Sequence, residues 1–135
     1  MSRGLANTIV AANAALISRH DLAAVGEFFS PDYAVHLTRR RLALGHDGIR
    51  RILRRYRRAF PDLRIEVEIL VVAKDRVAWQ RTFSAHHMGA FRGFPATGRR
   101  IVWRDMVSSR FCDGLIAEDW LISDLAERLL LARKR

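Results

Sequence analysis

The chain has 135 residues, half of them apolar and 28% charged, a balance that fits one soluble globular domain over residues 1–135, large enough to need no disulfide or metal staple. No apolar run approaches the ~20 residues of a membrane span, no cleaved secretion signal opens the sequence, and the single Cys112 excludes an internal disulfide, all of which point to the cytoplasm. The net charge of +10 raises the question of a nucleic-acid partner, but only Lys74 and Lys134 are lysines, and an arginine bias of this kind fits a GC-rich genome better than a polyanion partner.

Residues 4–19 read as the first helix, because Leu5, Ile9, Ala12 and Leu16 recur at helical spacing. His20-Asp21 breaks it, and Asp21 is placed to cap a second helix from Leu22 to Phe29. Ser30-Pro31-Asp32 is a turn signal, after which Tyr33 to Leu37 alternates as a short strand. Arg39 to Ala43 reads as a basic loop. Gly45-His46-Asp47-Gly48 opens a third helix, with Asp47 as its expected cap. Ile49, Ile52, Leu53, Tyr56 and Phe60 make its apolar stripe, and its arginines read as the solvated remainder. Pro61-Asp62 stops it.

The second half is strands. Leu63 to Ala73, Val77 to His87, Arg99 to Phe111 and Leu115 to Ile122 each carry alternating apolar positions, with turn signals at Lys74-Asp75 and Asp113-Gly114. A final helix runs from Asp124 to Arg133, with Ser123 or Asp124 as cap. Helices followed by a meander of long strands predict an α+β fold. Its curved, mostly antiparallel sheet would wrap the three N-terminal helices, leaving a hollow for a small molecule.

The order of elements resembles the cone-shaped fold of nuclear transport factor two and ketosteroid isomerase, and within it the SnoaL-like polyketide cyclases. The matching pieces are Gly45-His46-Asp47-Gly48-Ile49, Ala59-Phe60-Pro61-Asp62-Leu63, Thr82 with His87, Phe91 to Arg99, Arg110 with Asp113-Gly114, and Glu118-Asp119-Trp120 with Asp124. The resemblance implies an internal pocket, a homodimer, and ring closure by an intramolecular aldol reaction without metal or organic cofactor. It also implies a proton-shuttling carboxylate just after the tryptophan of the last strand, where this chain has Leu121. Two expectations follow: a cofactor-free cyclase or isomerase for an apolar carbonyl substrate, or a non-catalytic ligand-binding or scaffold protein of the same fold.

Aldol closure needs a base near an acidic C–H and donors for the enolate oxygen. Asp105 lies mid-strand, sharing a face with Trp103 and Val107, and reads either as that base or as the partner of an arginine such as Arg81. Asp119 shares by alternation the face of Ala117 and Leu121, and is the second candidate base; otherwise it faces solvent. His87 reads as a substrate hydrogen-bond donor or as a structural histidine. His86 and His87 point opposite ways on a strand and cannot hold one metal, so no metal site is expected. Tyr33 and His36 are candidates for the pocket mouth, and Trp79, Trp103, Trp120 and Leu121 for its lining.

Overall fold

The computed structural model describes residues 4–133, so both ends of the expected domain, Lys134 included, lie outside the described residues. Helix α1 spans Leu5–Asn13 and runs on through a wider π-helical turn, Ala14–Ser18. The expected second helix is split: a single 3-10 turn, Leu22–Ala24, leads into the short α2, Val25–Phe28. Asp21 makes no side-chain cap there. Strand β1 is Phe29–Leu37 and β2 is Arg40–Ala43. Helix α3 spans Gly45–Ala59. Strands β3 (Arg64–Val72), β4 (Arg76–His86), β5 (Arg100–Cys112) and β6 (Leu115–Ser123) follow, and α4, Leu125–Arg133, ends the described chain.

The fold is α+β, with one six-stranded sheet in the order β2-β1-β6-β5-β4-β3. Every neighbouring pair is antiparallel except β1 and β6, which run parallel. The segment expected as a basic loop is instead the edge strand β2. It pairs Ala43 with Ala34 and Arg40 with Leu37, and its exposed arginines suit an edge that must not recruit another strand. Asp47 also departs from expectation: it sits inside the first turn of α3, where it pairs with Arg50 at 3.0 Å, and Leu44 holds the capping position.

Alternation along β4 and β5 puts one row of side chains against the helices. Two apolar clusters result. One gathers Ile9, Leu16, Val25, Phe28, Ile49 and Trp79 with their neighbours. The other is mostly rings, Phe60, Phe83, Phe91 and Trp103, closed by Leu125 and Leu129 of α4. Trp103 lies 4.8 Å from both Phe60 and Phe83 between ring centroids, so the centre of this second cluster is packed ring against ring.

Candidate active site

A cavity of about 160 Å³ opens within the first cluster, between α1, α3 and the inner sheet face. Its walls are largely aliphatic (Ile9, Leu16, Val35, Ile49, Leu53), and its polar groups come from few residues: Asn13, Tyr33, Arg81, Arg92 and Asp119. A cavity of this size holds about one small ring, so a larger molecule would keep part of itself outside.

Asp119 reaches this wall by alternation with Leu121, opposite Ser109 of β5, and an irregularity in the ladder lies just before it. Between Arg110 and Phe111 the register shifts, so that Arg110 faces Glu118 while Phe111 faces Ile116. The extra residue is Ala117. The bulge therefore puts Ile116, and not Ala117, on the face shared with Asp119 and Leu121. Bulges of this kind re-aim side chains beside functional sites.

The Asp119 carboxylate is buried and fully engaged. The Tyr33 hydroxyl donates to Oδ2 at 2.6 Å, and Ser109 Oγ donates to Oδ1 at 2.5 Å. Ser109 in turn accepts from the Trp79 indole N–H at 2.9 Å. Burial pushes the Asp119 carboxyl above its ordinary range, against the opposing pull of the Ser109 and Tyr33 hydrogen bonds and the Arg81 charge. Burial, with the nearby Asp119 charge, also drives the Tyr33 phenol well up, so that it stays a neutral donor.

Arg81 is the second polar centre. Its Nε donates to Asp105 Oδ2 at 2.9 Å and its Nη1 to Asn13 Oδ1 at 3.0 Å. The guanidinium carbon lies 5.2 Å from the Trp79 ring centre and 5.0 Å from that of Phe83, so it is fixed between two aromatic faces. Asn13 stands where α1 passes into its π-helical turn, and its amide nitrogen is anchored to the Ile9 carbonyl at 2.9 Å. Nη2 of Arg81 has no protein partner among the described residues.

The other expected site residues fall in four places. Tyr33, Trp79 and Leu121 line the cavity with Asp119. Asp105 lies behind Arg81, 1% exposed, with Oδ1 lacking a partner among the described residues. Trp103 and His87 belong to the packed region. His87 is fully buried, 5.4 Å from the Phe60 ring, with Nδ1 3.3 Å from Thr97 Oγ1, and burial lowers its pKa. His36 and Trp120 are on the opposite, outer face of the sheet, where their rings stack 4.6 Å apart and His36 pairs with Glu118. Strand alternation separates Trp120 from Asp119 and Leu121 on either side of it. Sequence reasoning gave Arg81 only as a partner for Asp105 and did not single out Ser109 or Asn13; an arginine alternating with tryptophan and phenylalanine on an inward strand face was the available signal. Among the described residues, no group of three or more His, Cys, Asp or Glu side chains is placed to hold a metal ion. Among the described residues no helix is long and apolar enough to cross a membrane.

Comparison with known proteins decides the family. The model of the SnoaL-like polyketide cyclases matches residues 7–130. The chain belongs to that family. Similar solved structures include AclR of Streptomyces galilaeus, a candidate hydroxylase, at 29% identity and a TM-score of 0.81, over 97% of this chain and 85% of that one. IdmH of Streptomyces antibioticus, a candidate polyketide cyclase, is 27% identical with a TM-score of 0.81, over 98% and 100%. A SnoaL-like polyketide cyclase of Agrobacterium tumefaciens is 27% identical with a TM-score of 0.79, over 95% and 98%. No curated protein matches the sequence. Within this SnoaL-like chain, Leu121 stands where the resemblance expects a carboxylate, and Asp119, two residues earlier, supplies one to the same wall.

Proposed function

We propose that this SnoaL-like protein is a cofactor-independent acid/base catalyst that rearranges or closes a carbonyl-bearing substrate, such as a polyketide, held by an apolar ring. The observation that carries the reading is Asp119, a carboxyl buried on the cavity wall, oriented through both oxygens and made more basic by its surroundings. Ionised Asp119 takes the proton from the carbon beside the carbonyl. The unpaired N–H groups of Arg81 Nη2 stabilise the enolate oxygen as charge develops there. The enolate carbon then attacks a second carbonyl of the same molecule, and protonated Asp119 returns the proton to the new alkoxide. Asp105 and Asn13 act through Arg81 by fixing its direction.

Acetophenone, one ring with one carbonyl, is a suitable probe. The protein is expected to accelerate exchange of its methyl protons in heavy water, followed by NMR. Asp119→Asn is expected to slow that exchange about a hundredfold or more. An unchanged rate in the variant removes Asp119 from the base role. A second reading, a non-catalytic binding protein, is favoured by Leu121 at the family position; it predicts that acetophenone binds and its exchange is not accelerated.

We further propose that the chain pairs with a second copy through its outer sheet face, where Leu70, Met106 and Ile122 are exposed around Trp120. Ile122, at 69% exposure, is the residue to change. Ile122→Arg should convert a dimer to a monomer in native mass spectrometry, and a monomeric parent protein ends this reading. A reducing cytoplasmic setting fits the exposed free Cys112.

A further inference from the structure

The cavity adjoins a second, larger hollow of about 330 Å³. Ile52, Tyr56 and Arg92 line both. The outer hollow adds Arg55 and Arg58 from α3, so three guanidinium groups surround it with no carboxylate among its lining residues. Among the described residues none of the three makes an ion pair.

The turn that carries Arg92 is built to hold it there. Phe91 and Phe94 exchange backbone hydrogen bonds at 2.9 and 2.8 Å, and Phe91 is buried as the anchor. Arg92 and Gly93 at the tip both have left-handed backbone, at φ 50° and 83°. That conformation is unfavourable for arginine and persists only where the surroundings fix it. The Arg92 guanidinium lies over the Phe91 ring at 5.1 Å. The start of the loop is pinned to the end of α3: the N–H groups of Met88 and Gly89 both donate to the Ala59 carbonyl. A side chain at Gly89 would meet the Arg58 carbonyl at 2.9 Å, so glycine permits the close approach that brings Arg92 beside Arg55 and Arg58. Three like charges held together without a counter-charge, at the open side of a cavity too small for more than a ring, fit a molecule whose charged end projects outward.

We propose that the hollow lined by Arg55, Arg58 and Arg92 binds an anionic group, a carboxylate or a phosphate, on the far end of a ligand whose apolar ring occupies the inner cavity. This rests on the cavity being the ligand site and deepens that reading by naming the substrate class: amphipathic acids, free or as phosphate-bearing thioesters. Bidentate guanidinium contacts suit either group.

The test compares 4-phenylbutanoate with its uncharged amide, titrated against the full chain by NMR at about 50 mM salt, where screening is weak. The acid is expected to bind about tenfold more tightly than the amide. In the variant Arg55→Gln/Arg58→Gln/Arg92→Gln that preference is expected to fall to about twofold or less, with backbone chemical shifts away from the hollow retained as the sign of an intact fold. Equal affinities in the parent protein, or a preference that survives the triple substitution, overturn the proposal while leaving the cavity as the ligand site. Failure of both compounds to bind overturns the cavity reading along with it. The coenzyme A thioester of the same acid then separates the two sources. Tighter binding than the free acid, lost in the triple variant, assigns the arginines to phosphate; weaker binding assigns them to the carboxylate; both uphold the anion site.

Discussion

The two halves of the inner sheet face differ in how they are filled. At one end Phe60, Phe83, Phe91 and Trp103 pack ring against ring, and α4 closes over them. At the other, aliphatic side chains of α1 and α3 stand back from Val107 and Leu121 and leave a cavity. Both ends use the same strands. The difference is side-chain volume and the presence of polar groups that must be held in place, so one end supplies stability and the other a chemical environment. Each half also buries one carboxylate. Asp105 is spent on Arg81, whereas Asp119 is bound only by neutral donors, Tyr33 and Ser109.

Four substitutions or titrations probe that contrast. Trp103→Ala, in the packed half, should destabilise by about 4 kcal/mol in denaturant unfolding, since the neighbouring rings cannot close the space. A loss comparable to a surface change would mean that this half is not solid. Asp105→Asn should cost about 3 kcal/mol by leaving the Arg81 charge without its partner. Leu121→Ala, in the hollow half, should cost about 1 to 2 kcal/mol, because it enlarges an existing space and does not open a new one. Its signature should be altered ligand affinity more than lowered stability. The smallest effect concerns pH. Asp119 has its folded pKa raised by burial, so it favours the folded state below the unfolded carboxyl value and that advantage is lost as pH climbs through the raised one. The difference in melting temperature between Asp119→Asn and the parent protein should therefore grow in the variant's favour across that window and level off above it. A flat difference would contradict the raised pKa. In the acetophenone exchange the same ionisation runs the other way, with rate rising as Asp119 loses its proton.

Much of the architecture was legible because period-two patterns in β4, β5 and β6 are long and regular. β2 was not, since a four-residue edge strand with two exposed arginines has no buried face to impose a pattern. The split of the second helix was hidden too: residues 22–29 are all compatible with helix, and it is pairing of Phe29 with Ile116 that draws the chain into β1. For the site, alternation was enough to put Asp119 beside Leu121 and to turn Trp120 away from both. It could not reveal the bulge at Ala117, because an extra residue in one strand shows only against its partner. Nor could it bring Tyr33 to Asp119, a meeting set by the parallel pairing of strands at opposite ends of the chain.

That parallel pairing carries a consequence for how the protein is made. Tyr33 leaves the ribosome 86 residues before Asp119, and β1 has only the edge strand β2 beside it until β6 is synthesised. The nascent chain therefore carries its N-terminal helices and half of its polar centre for several seconds at ordinary elongation rates of about 5–20 residues per second. The wall that Tyr33 and Asp119 share is complete only once β6 lies between β1 and β5, so the strand that closes the sheet also closes the hollow.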